Sequence, residues 1–465
     1  MATQNSMTAL TRQVPPKPSV SPPSNLARIT NYQDLVKIEE CVRYYPPNLE
    51  PVSNGVEIFS AIGESRDREI DLFVDVPYCG TICGFCPFNV YRYKEEEALR
   101  YIDSLEKEIR AIRSLNDLTR TRVRTVWVGG GTPTRLSIAS MNRLLELLDT
   151  NFDLRTVVEF TMEIKPTQSD LVEEKFDLFR QYGVTRISMG VQSTEQKQLE
   201  ILGRGHTAKD ALEVVDKIMG AGFPLNIDMM YRLPGQKHKE VEQDLENVRS
   251  LGIDHMSWFP YVPHQGTRLA SRISNQQVAK PADREQYFAM FETVLERLSL
   301  AGYDQYTPYH FAKSRRCDYH VDRWKMPQLE TLGLGPGAFS FFNGNIYTNE
   351  HDPAKYAKMV NENVPPVVLA KKLTQTERTS RLAVLGVKFF GLELSKFETL
   401  TGEIFTNYYK KETDLLTRAG LVELKADCLE CTIAGRAFNN DVATAFATDV
   451  ARRTKHPQAL DLMRR

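Results

Sequence analysis

Short apolar runs alternate with longer segments of helical periodicity from about residue 70 onward. Buried strands are predicted over residues 71–77, 125–129, 157–164, 185–189, 224–230 and 255–260. Amphipathic helices are predicted between them, over residues 95–113, 138–149, 169–182, 208–219 and 239–251. Strands separated by helices of this length indicate βαβ units that share one parallel sheet.

About six such units predict an α/β fold, and a partial (β/α)6-type barrel is the architecture that fits them best. An open doubly wound sheet is the alternative. In either architecture, the chemistry belongs at the carboxyl ends of the strands. The sequence therefore directs attention to the residues that follow each predicted strand.

The pattern changes after residue 280, where regular alternation gives way to other elements. A long helix is predicted over residues 284–301, and a glycine-rich turn over 332–340. From residue 376, helical stretches lead to a small hairpin, which predicts a mostly helical, winged-helix-like C-terminal domain. The predicted domains are a disordered Pro/Ser-rich tail (1–30), the barrel (31–280), a barrel extension that covers the substrate (281–375) and the C-terminal domain (376–465).

Composition narrows the possible partners and compartment. The chain has 465 residues and a formal net charge of −1, which gives no global electrostatic reason for binding nucleic acid or an anionic membrane. No apolar run approaches the length of a membrane span. The seven irregularly spaced cysteines do not form a disulfide framework, so a cytoplasmic location is predicted. A transit peptide is the alternative for the N-terminal tail, although its prolines oppose the required amphipathic helix.

Three cysteines, Cys79, Cys83 and Cys86, follow the first predicted strand with the spacing C-x3-C-x2-C. Thiolates hold iron–sulfur clusters, and a cubane takes four ligands. Three thiolates from one loop would leave one iron open to a small chelating molecule. A zinc site is the alternative, but it would need a second pair such as Cys428 and Cys431 from the distant hairpin.

Further polar or glycine positions follow the other predicted strands. Gly129, Gly130 and Gly131 could let a ligand approach the backbone, or simply form a tight turn. Glu163 suits an amino group or ribose hydroxyls, Asp228 suits ribose hydroxyls, and the planar fork of Arg204 matches a carboxylate. An amino acid moiety plus a ribose would be S-adenosylmethionine (SAM). A solvated strand-end acid is the alternative for Glu163, and a surface arginine is the alternative for Arg204.

Taken together, the motifs resemble those of the oxygen-independent coproporphyrinogen oxidase-like group of radical SAM enzymes. The resemblance runs from about residue 70 to 445. Its motifs are the cysteine triad, GGGTPT at 129–134, the strand with Glu163, RISMGVQS at 186–193, LGRGH at 202–206, NIDMMYRLPGQ at 226–236 and LGLGPGAFS at 332–340.

The resemblance implies a 4Fe–4S cluster on Cys79, Cys83 and Cys86, whose fourth iron holds the amino and carboxylate groups of one SAM. It implies a second SAM as well. The residues that it implies around the first SAM are Phe85, Gly129, Gly130, Gly131, Thr132, Glu163, Gln192, Arg204 and Asp228. A reductant such as flavodoxin or ferredoxin would supply the electron.

Departures from the group's pattern favour a methyltransferase or a cyclopropane-forming enzyme over a porphyrinogen oxidase. The oxidases carry a cysteine where this chain has Phe88, and a tyrosine and a histidine where it has Phe73 and Asp75; Arg232 replaces a usual glycine. We predict that a 5′-deoxyadenosyl radical abstracts hydrogen from the methyl group of the second SAM. The methylene would then add to an sp2 carbon of a small natural-product substrate. A coproporphyrinogen III dehydrogenase and a haem chaperone are the alternatives.

Substrate residues are harder to predict. Tyr261 and His264, after the sixth strand, are candidates for proton handling, with a structural loop as the alternative. The aromatic stretch 303–311 is a candidate for the substrate surface or for the core. Cys317 is a candidate hydrogen donor or a plain buried thiol.

Overall fold

A computed structural model describes residues 45–448, except residues 54, 61–67, 117 and 119. Thirteen strands form one sheet in the order β1-β15-β14-β13-β12-β2-β5-β6-β7-β8-β9-β11-β10. The seven strands from β12 to β9 in this order run parallel, and the flanking strands are antiparallel. These labels refer to β1 (Glu50–Pro51), β2 (Arg68–Val76), β5 (Thr121–Gly130), β6 (Glu159–Ile164), β7 (Arg186–Gln192), β8 (Leu225–Tyr231), β9 (His255–Pro260), β10 (Asp304–Gln305), β11 (His310–Ala312), β12 (Glu330–Leu334), β13 (Phe339–Phe342), β14 (Asn345–Asn349) and β15 (Val367–Lys372).

Two short parallel strands and a three-stranded antiparallel sheet complete the β-structure of the described residues. The short pair is β3 (Tyr78–Cys79) with β4 (Tyr91–Arg92), next to the cysteine loop. The small sheet contains β16 (Gly391–Glu393), β17 (Val422–Lys425) and β18 (Cys428–Cys431), with β18 in the middle.

Helices fill most of the connections between these strands. They are α1 (Val56–Ser60), α2 (Glu95–Leu115), α3 (Ile138–Asn151), α4 (Glu173–Gln181), α5 (Gln196–Leu202), α6 (Ala208–Gly220), α7 (His238–Arg249), α8 (Arg268–Ser274), α9 (Arg284–Leu300), α10 (Asp318–Trp324), α11 (Pro353–Asn361), α12 (Gln375–Gly386), α13 (Leu394–Thr401), α14 (Phe405–Tyr408), α15 (Lys410–Arg418), α16 (Ile433–Ala437) and α17 (Asn439–Ala445). No helix among the described residues is both long and apolar enough to span a bilayer.

The parallel strands have one apolar face and one largely polar face. On β6, Phe160, Met162 and Ile164 belong to the main hydrophobic core between sheet and helices. Glu159 and Glu163 alternate with them and therefore lie on the opposite, concave face. The same alternation puts Asp75, Arg186, Gly190, Asn226 and Asp228 on the concave face of their strands. The hollow of the barrel is thus lined by groups that can bind polar ligands.

A second hydrophobic core lies in the C-terminal part of the described chain. It includes Leu392, Phe397 and Leu429, and it also takes in Tyr45 and Trp324 from outside that region. The helices and the small sheet β16–β18 agree with the predicted helical domain and its hairpin. The predicted domain boundaries stay predictions, and the predicted tail (1–30) lies outside the described residues.

The predicted α/β fold is confirmed, with one difference in detail. A seventh parallel strand, β12, occupies the start of the segment that the sequence predicts to be a glycine-rich turn. Its pairing with β2 buries Leu332 and Leu334 against the main core. The hairpin cysteines, Cys428 and Cys431, lie on β18 in the C-terminal unit, where Cys431 is packed into the second core. Both cysteines therefore belong to the C-terminal unit, by which we mean residues 373–448. The alternative of a zinc site shared with the cysteine loop gains no support from this position.

Candidate functional site

The cysteine loop follows β2 at the carboxyl end of the parallel strands, and backbone hydrogen bonds fix it to the glycine triplet. Gly131 N–H donates to the carbonyl of Val76 at 2.8 Å, and Thr132 N–H donates to the carbonyl of Tyr78 at 2.7 Å. The Thr132 hydroxyl also lies 3.4 Å from Cys79 Sγ. The turn after β5 therefore sets the position of the first cysteine.

A second set of contacts fixes the other end of the loop. Gly84 N–H donates to the carbonyl of Leu202 at 2.8 Å, and Leu269 N–H donates to the carbonyl of Gly84 at 2.8 Å. Gly203, which caps α5 with a φ of 69°, leaves the space that Gly84 needs. The loop is thus held between the end of α5 and the start of α8, which are distant from it in sequence.

The three thiols have different electrostatic surroundings. Burial alone would raise the pKa of Cys83, but the nearby cations Arg204 and Lys165 bring it below its ordinary value. Arg204 Nη1 donates to Cys83 Sγ at 3.3 Å. Burial raises the pKa of Cys79 and raises that of Cys86 to about 12. Cys83 is therefore the thiol most readily available as a thiolate.

The donor set fits an iron–sulfur cubane better than a single metal ion. Within the part of the chain that the structure describes, no three His, Cys, Asp or Glu side chains converge as ligands of one ion. The thiols of Cys79, Cys83 and Cys86 nevertheless lie close enough to influence one another's charge. In a cubane each thiolate binds a different iron, so the ligands surround a volume instead of a point. These three residues would hold the cluster.

Each glycine of the triplet makes room for a protein group. A Cβ at Gly129 would lie 2.5 Å from Cδ of Glu163, and one at Gly131 would lie 2.6 Å from the carbonyl oxygen of Tyr78. At Gly130, with φ at 96°, a Cβ would lie 1.8 Å from Asp75 Oδ1. The triplet therefore has a packing role in addition to the predicted contact with a ligand, which stays a prediction.

Glu163 is oriented by two donors on the neighbouring strand. It accepts a hydrogen bond from Trp127 Nε1 at 2.7 Å and another from Gly130 N–H at 3.2 Å. Asp75, on the other side of Gly130, is buried at 9% exposure, and its Oδ1 has no hydrogen-bond partner among the described residues. Burial and then the nearby Glu163 raise the pKa of Asp75 well above its ordinary value.

Gln192, Arg204 and Asp228 come together where β7 and β8 end. The β7–β8 register shifts between Gly190 and Gln192, and Gln192 has a left-handed φ of 78°. Arg204 donates to the carbonyl of Gly190, the residue that pairs with Asp228. Asp228 accepts from Asn226 Nδ2 at 2.8 Å, and burial raises its pKa. The predicted cofactor residues thus lie together at the carboxyl ends of the parallel strands, and we call this opening the mouth of the barrel. The roles of these residues stay predictions.

Tyr261 and His264 lie at the edge of this region. Tyr261 is 1% exposed and packs with Leu202, Met230 and Leu269 in a small apolar cluster that Phe85 also contacts. The Tyr261 hydroxyl is buried without a hydrogen-bond partner among the described residues. The carbonyl of His264 accepts from Thr267 at the start of α8, as in the structural-loop alternative. Proton handling by either side chain stays a prediction.

Cys317 lies at the opposite end of the strands. Its thiol donates to Glu159 Oε1 at 3.0 Å, and Glu159 is the first residue of β6. The aromatic stretch surrounds the same end, where the Tyr306 hydroxyl lies 2.6 Å from His255 Nε2. The cysteine loop lies at the carboxyl end of the strands, far from Cys317. The alternative of a plain buried thiol therefore fits Cys317 better than the role of a hydrogen donor.

Sequence reasoning missed Lys165, which is buried beside the cysteine loop. Its Nζ donates to the carbonyl of Thr81 at 3.4 Å. The sequence could have indicated Lys165, because it directly follows the predicted strand that ends with Ile164. Trp127 was also missed, because a tryptophan in an apolar strand predicts core packing and not a donor to Glu163.

Two family models match separate parts of the chain. Residues 73–248 match the radical SAM superfamily, and residues 373–438 match the HemN C-terminal domain. The first match contains the cysteine loop and the strands that carry Glu163, Gln192 and Asp228. The second lies in the region of the second hydrophobic core.

Curated relatives match along most of their length. The chain is 27% identical to the Heme chaperone HemW of Bacillus subtilis over 378 residues, which cover 80% of this chain and 98% of the relative. It is 27% identical to the oxygen-independent coproporphyrinogen III oxidase of Salmonella typhimurium over 403 residues, 83% of this chain and 87% of the relative. Among solved structures, coproporphyrinogen III oxidase (HemN) from Escherichia coli matches with a TM-score of 0.74 and 24% identity, over 88% of this chain and 98% of that one. This last match shows a shared fold.

Proposed function

We propose that this chain is a radical SAM enzyme of the HemN-like group, which abstracts a hydrogen atom from a tetrapyrrole-class small molecule. The observation that carries the proposal is the convergence of three cysteines, Glu163, Arg204 and Asp228 on one mouth of the barrel. When bound, a 4Fe–4S cluster and SAM supply reductive one-electron cleavage of a C–S bond, and hence a hydrogen-abstracting radical.

The chain's own residues would bind and orient the cofactors and would shield the reacting atoms from water. Cys79, Cys83 and Cys86 would hold the cluster, and Arg204 would pair with the cofactor carboxylate. Glu163 and Asp228 would accept hydrogen bonds from its amino and ribose groups. The buried, polar concave face would keep bulk water from the reacting atoms. The choice of a tetrapyrrole class follows the relatives, which include a porphyrinogen oxidase and a haem chaperone.

Radical methyl or methylene transfer to an sp2 carbon is a second candidate, with a second SAM as the carbon donor. Asp75 favours it, because burial and the neighbouring Glu163 raise its pKa well above the ordinary value, so this position offers no cation to the carboxylates of a porphyrinogen. The guanidinium of Arg232 is held elsewhere, since it donates to the carbonyls of Ala282 and Tyr261. The natural-product acceptor predicted from the sequence belongs to this candidate.

One experiment separates these candidates. The anaerobically reconstituted protein would be given dithionite and methyl-labelled SAM, with coproporphyrinogen III in one reaction and haem in another. The proposal predicts 5′-deoxyadenosine that depends on the tetrapyrrole, and carbon dioxide release identifies a coproporphyrinogen dehydrogenase. S-adenosylhomocysteine with labelled product identifies methyl or methylene transfer. Stoichiometric haem binding without substrate-dependent turnover would contradict the proposal and favour a haem chaperone.

The cluster itself has a simpler test. Replacing Cys79, Cys83 or Cys86 by Ala should abolish the visible absorption of the cluster and most of its roughly four bound irons. The matched control replaces Cys428 and Cys431 by Ala, which should leave iron content unchanged because both lie in the C-terminal unit. Full iron content in any of the three loop variants would remove the basis of the proposal.

The remaining partners are part of the same proposal. A flavodoxin- or ferredoxin-type protein would deliver the electron, and a cytoplasmic location would keep the cluster in a reducing environment. Electron transfer from each purified carrier, followed as the loss of the cluster's visible absorption, tests this part independently of the substrate.

A further inference from the structure

Three cationic side chains from three distant parts of the chain donate hydrogen bonds to three consecutive residues of the cysteine loop. Lys165, after β6, donates to the carbonyl of Thr81 at 3.4 Å, and Arg268, at the start of α8, donates to the carbonyl of Ile82. Arg204, after α5, donates to Cys83 Sγ at 3.3 Å. We call Lys165, Arg204 and Arg268 the cation collar.

The members of the cation collar differ in their access to solvent. Lys165 is 6% exposed, Arg204 is half-buried and Arg268 is exposed. Salt and water screen an exposed charge strongly, whereas a buried charge acts over several ångströms. Lys165 should therefore have the largest electrostatic effect for its distance from the thiols.

Burial is the largest influence on the pKa of Lys165 and lowers it, whereas Cys83, Cys79 and Asp170 raise it. Asp170, the carboxylate among these groups, is itself paired with Arg135 at 2.6 Å. Arg204 is a second cation on the same side, and His206 is kept neutral because burial and these cations lower its pKa to about 3. Cys83 and Cys79 are the other anionic groups that act on Lys165.

We propose that the positive charge of Lys165 makes the cluster easier to reduce, because it offsets the negative charge of the three thiolates. One electron adds one negative charge to the cluster, so a fixed buried cation stabilises the reduced form more than the oxidised form. The inference needs a cluster on Cys79, Cys83 and Cys86, as the proposed function does, but it needs no particular substrate.

The test is a potentiometric titration of the cluster, followed by electron paramagnetic resonance without SAM or substrate. Lys165→Gln keeps a donor for the Thr81 carbonyl and removes the charge, and Lys165→Met removes both. Both variants should shift the midpoint potential to more negative values, whereas Lys165→Arg should stay near the parent value. Arg268→Gln, the matched exposed control, should shift it less, and the shift should shrink further at high ionic strength.

Iron content and circular dichroism establish that each variant is folded and loaded. A parent-like potential in loaded Lys165→Gln overturns the proposal, and so does an equal shift in Arg268→Gln. Failure of both neutral variants to take up iron, while Lys165→Arg loads, also overturns it, because Lys165 would then serve cluster assembly. Loss of turnover with the expected potentials would instead count against the proposed function alone.

Discussion

At the scale of single residues, the mouth of the barrel depends on glycines that leave room for acids. Gly130 is the clearest case, because its φ is 96° and Asp75 occupies the space where a Cβ would stand. The Gly130 N–H also donates to Glu163. Because Gly130 has no side chain, the carboxyl groups of Asp75 and Glu163 can both approach this turn.

Gly130→Ala should lower the free energy of unfolding by about 2–4 kcal/mol, through backbone strain and the contact with Asp75. Urea denaturation measures this. Gly183→Ala is the matched control, because Gly183 also has a positive φ but faces open space, and it should cost about 1 kcal/mol. Adding Asp75→Ala to Gly130→Ala should restore part of the loss. Equal losses in the two glycine variants would contradict the steric explanation.

At the scale of elements, a buried carboxyl group on α2 joins that helix to the segment after β12. Glu108 accepts hydrogen bonds from Gly335 N–H at 2.8 Å, from Asn349 Nδ2 at 2.6 Å and from the Tyr356 hydroxyl at 2.7 Å. Burial raises the pKa of Glu108, and the three hydrogen bonds lower it. Burial has the larger effect, so the pKa is raised to about 7. The connection is therefore sensitive to pH near neutrality.

The pKa of Glu108 predicts a pH-dependent stability with a definite sign. Between about pH 4.5 and 7, the folded chain keeps a proton on Glu108 that the unfolded chain has lost, so its contribution to stability falls as the pH rises. The full effect is at most about 3 kcal/mol. Urea denaturation across this window should show a flatter pH dependence for Glu108→Gln than for the parent. Glu106→Gln, on the exposed side of α2, should keep the parent slope, and an unchanged slope in Glu108→Gln would contradict the assignment.

Sequence patterns predicted most of the barrel but missed what depends on long-range pairing. The six predicted strands are present, because each combines an apolar run with a following helix. The seventh parallel strand was missed because it is short, contains Gly333 and pairs with β2 far away in sequence. For the same reason, no local pattern could place Cys317 at the amino end of β6 or bring Lys165 to the cysteine loop.

At the scale of the whole molecule, one tyrosine, Tyr45, joins two segments that lie 403 residues apart in the sequence. The Tyr45 hydroxyl accepts from Thr448 N–H at 2.6 Å and from the Ser380 hydroxyl at 3.0 Å. Tyr45 also packs in the second hydrophobic core, as does Trp324 of α10. The second hydrophobic core is thus joined both to α10, through Trp324, and to the segment that contains Tyr45.

Tyr45→Phe should lower the free energy of unfolding by about 1–2 kcal/mol, because the ring still packs while the Thr448 N–H loses its acceptor and the Thr448 hydroxyl loses the Tyr45 O–H donor. Thermal unfolding followed by circular dichroism measures the loss. Tyr408→Phe is the control, since Tyr408 is 39% exposed, and it should change stability little. A loss in Tyr408→Phe as large as that in Tyr45→Phe would argue against this role for the hydroxyl.

The position of β2 between β5 and β12 has a consequence for biosynthesis. Its partner Glu330 follows Ile70 by roughly 260 residues, so a ribosome adding about 5–20 residues per second needs roughly 13–50 s to supply that neighbour. Throughout this interval, the β12 side of a nascent strand rich in Ile70, Leu72 and Val74 stays without its partner. Slow elongation or early truncation should therefore favour aggregation of this protein, and chaperones that bind extended apolar segments should raise its yield.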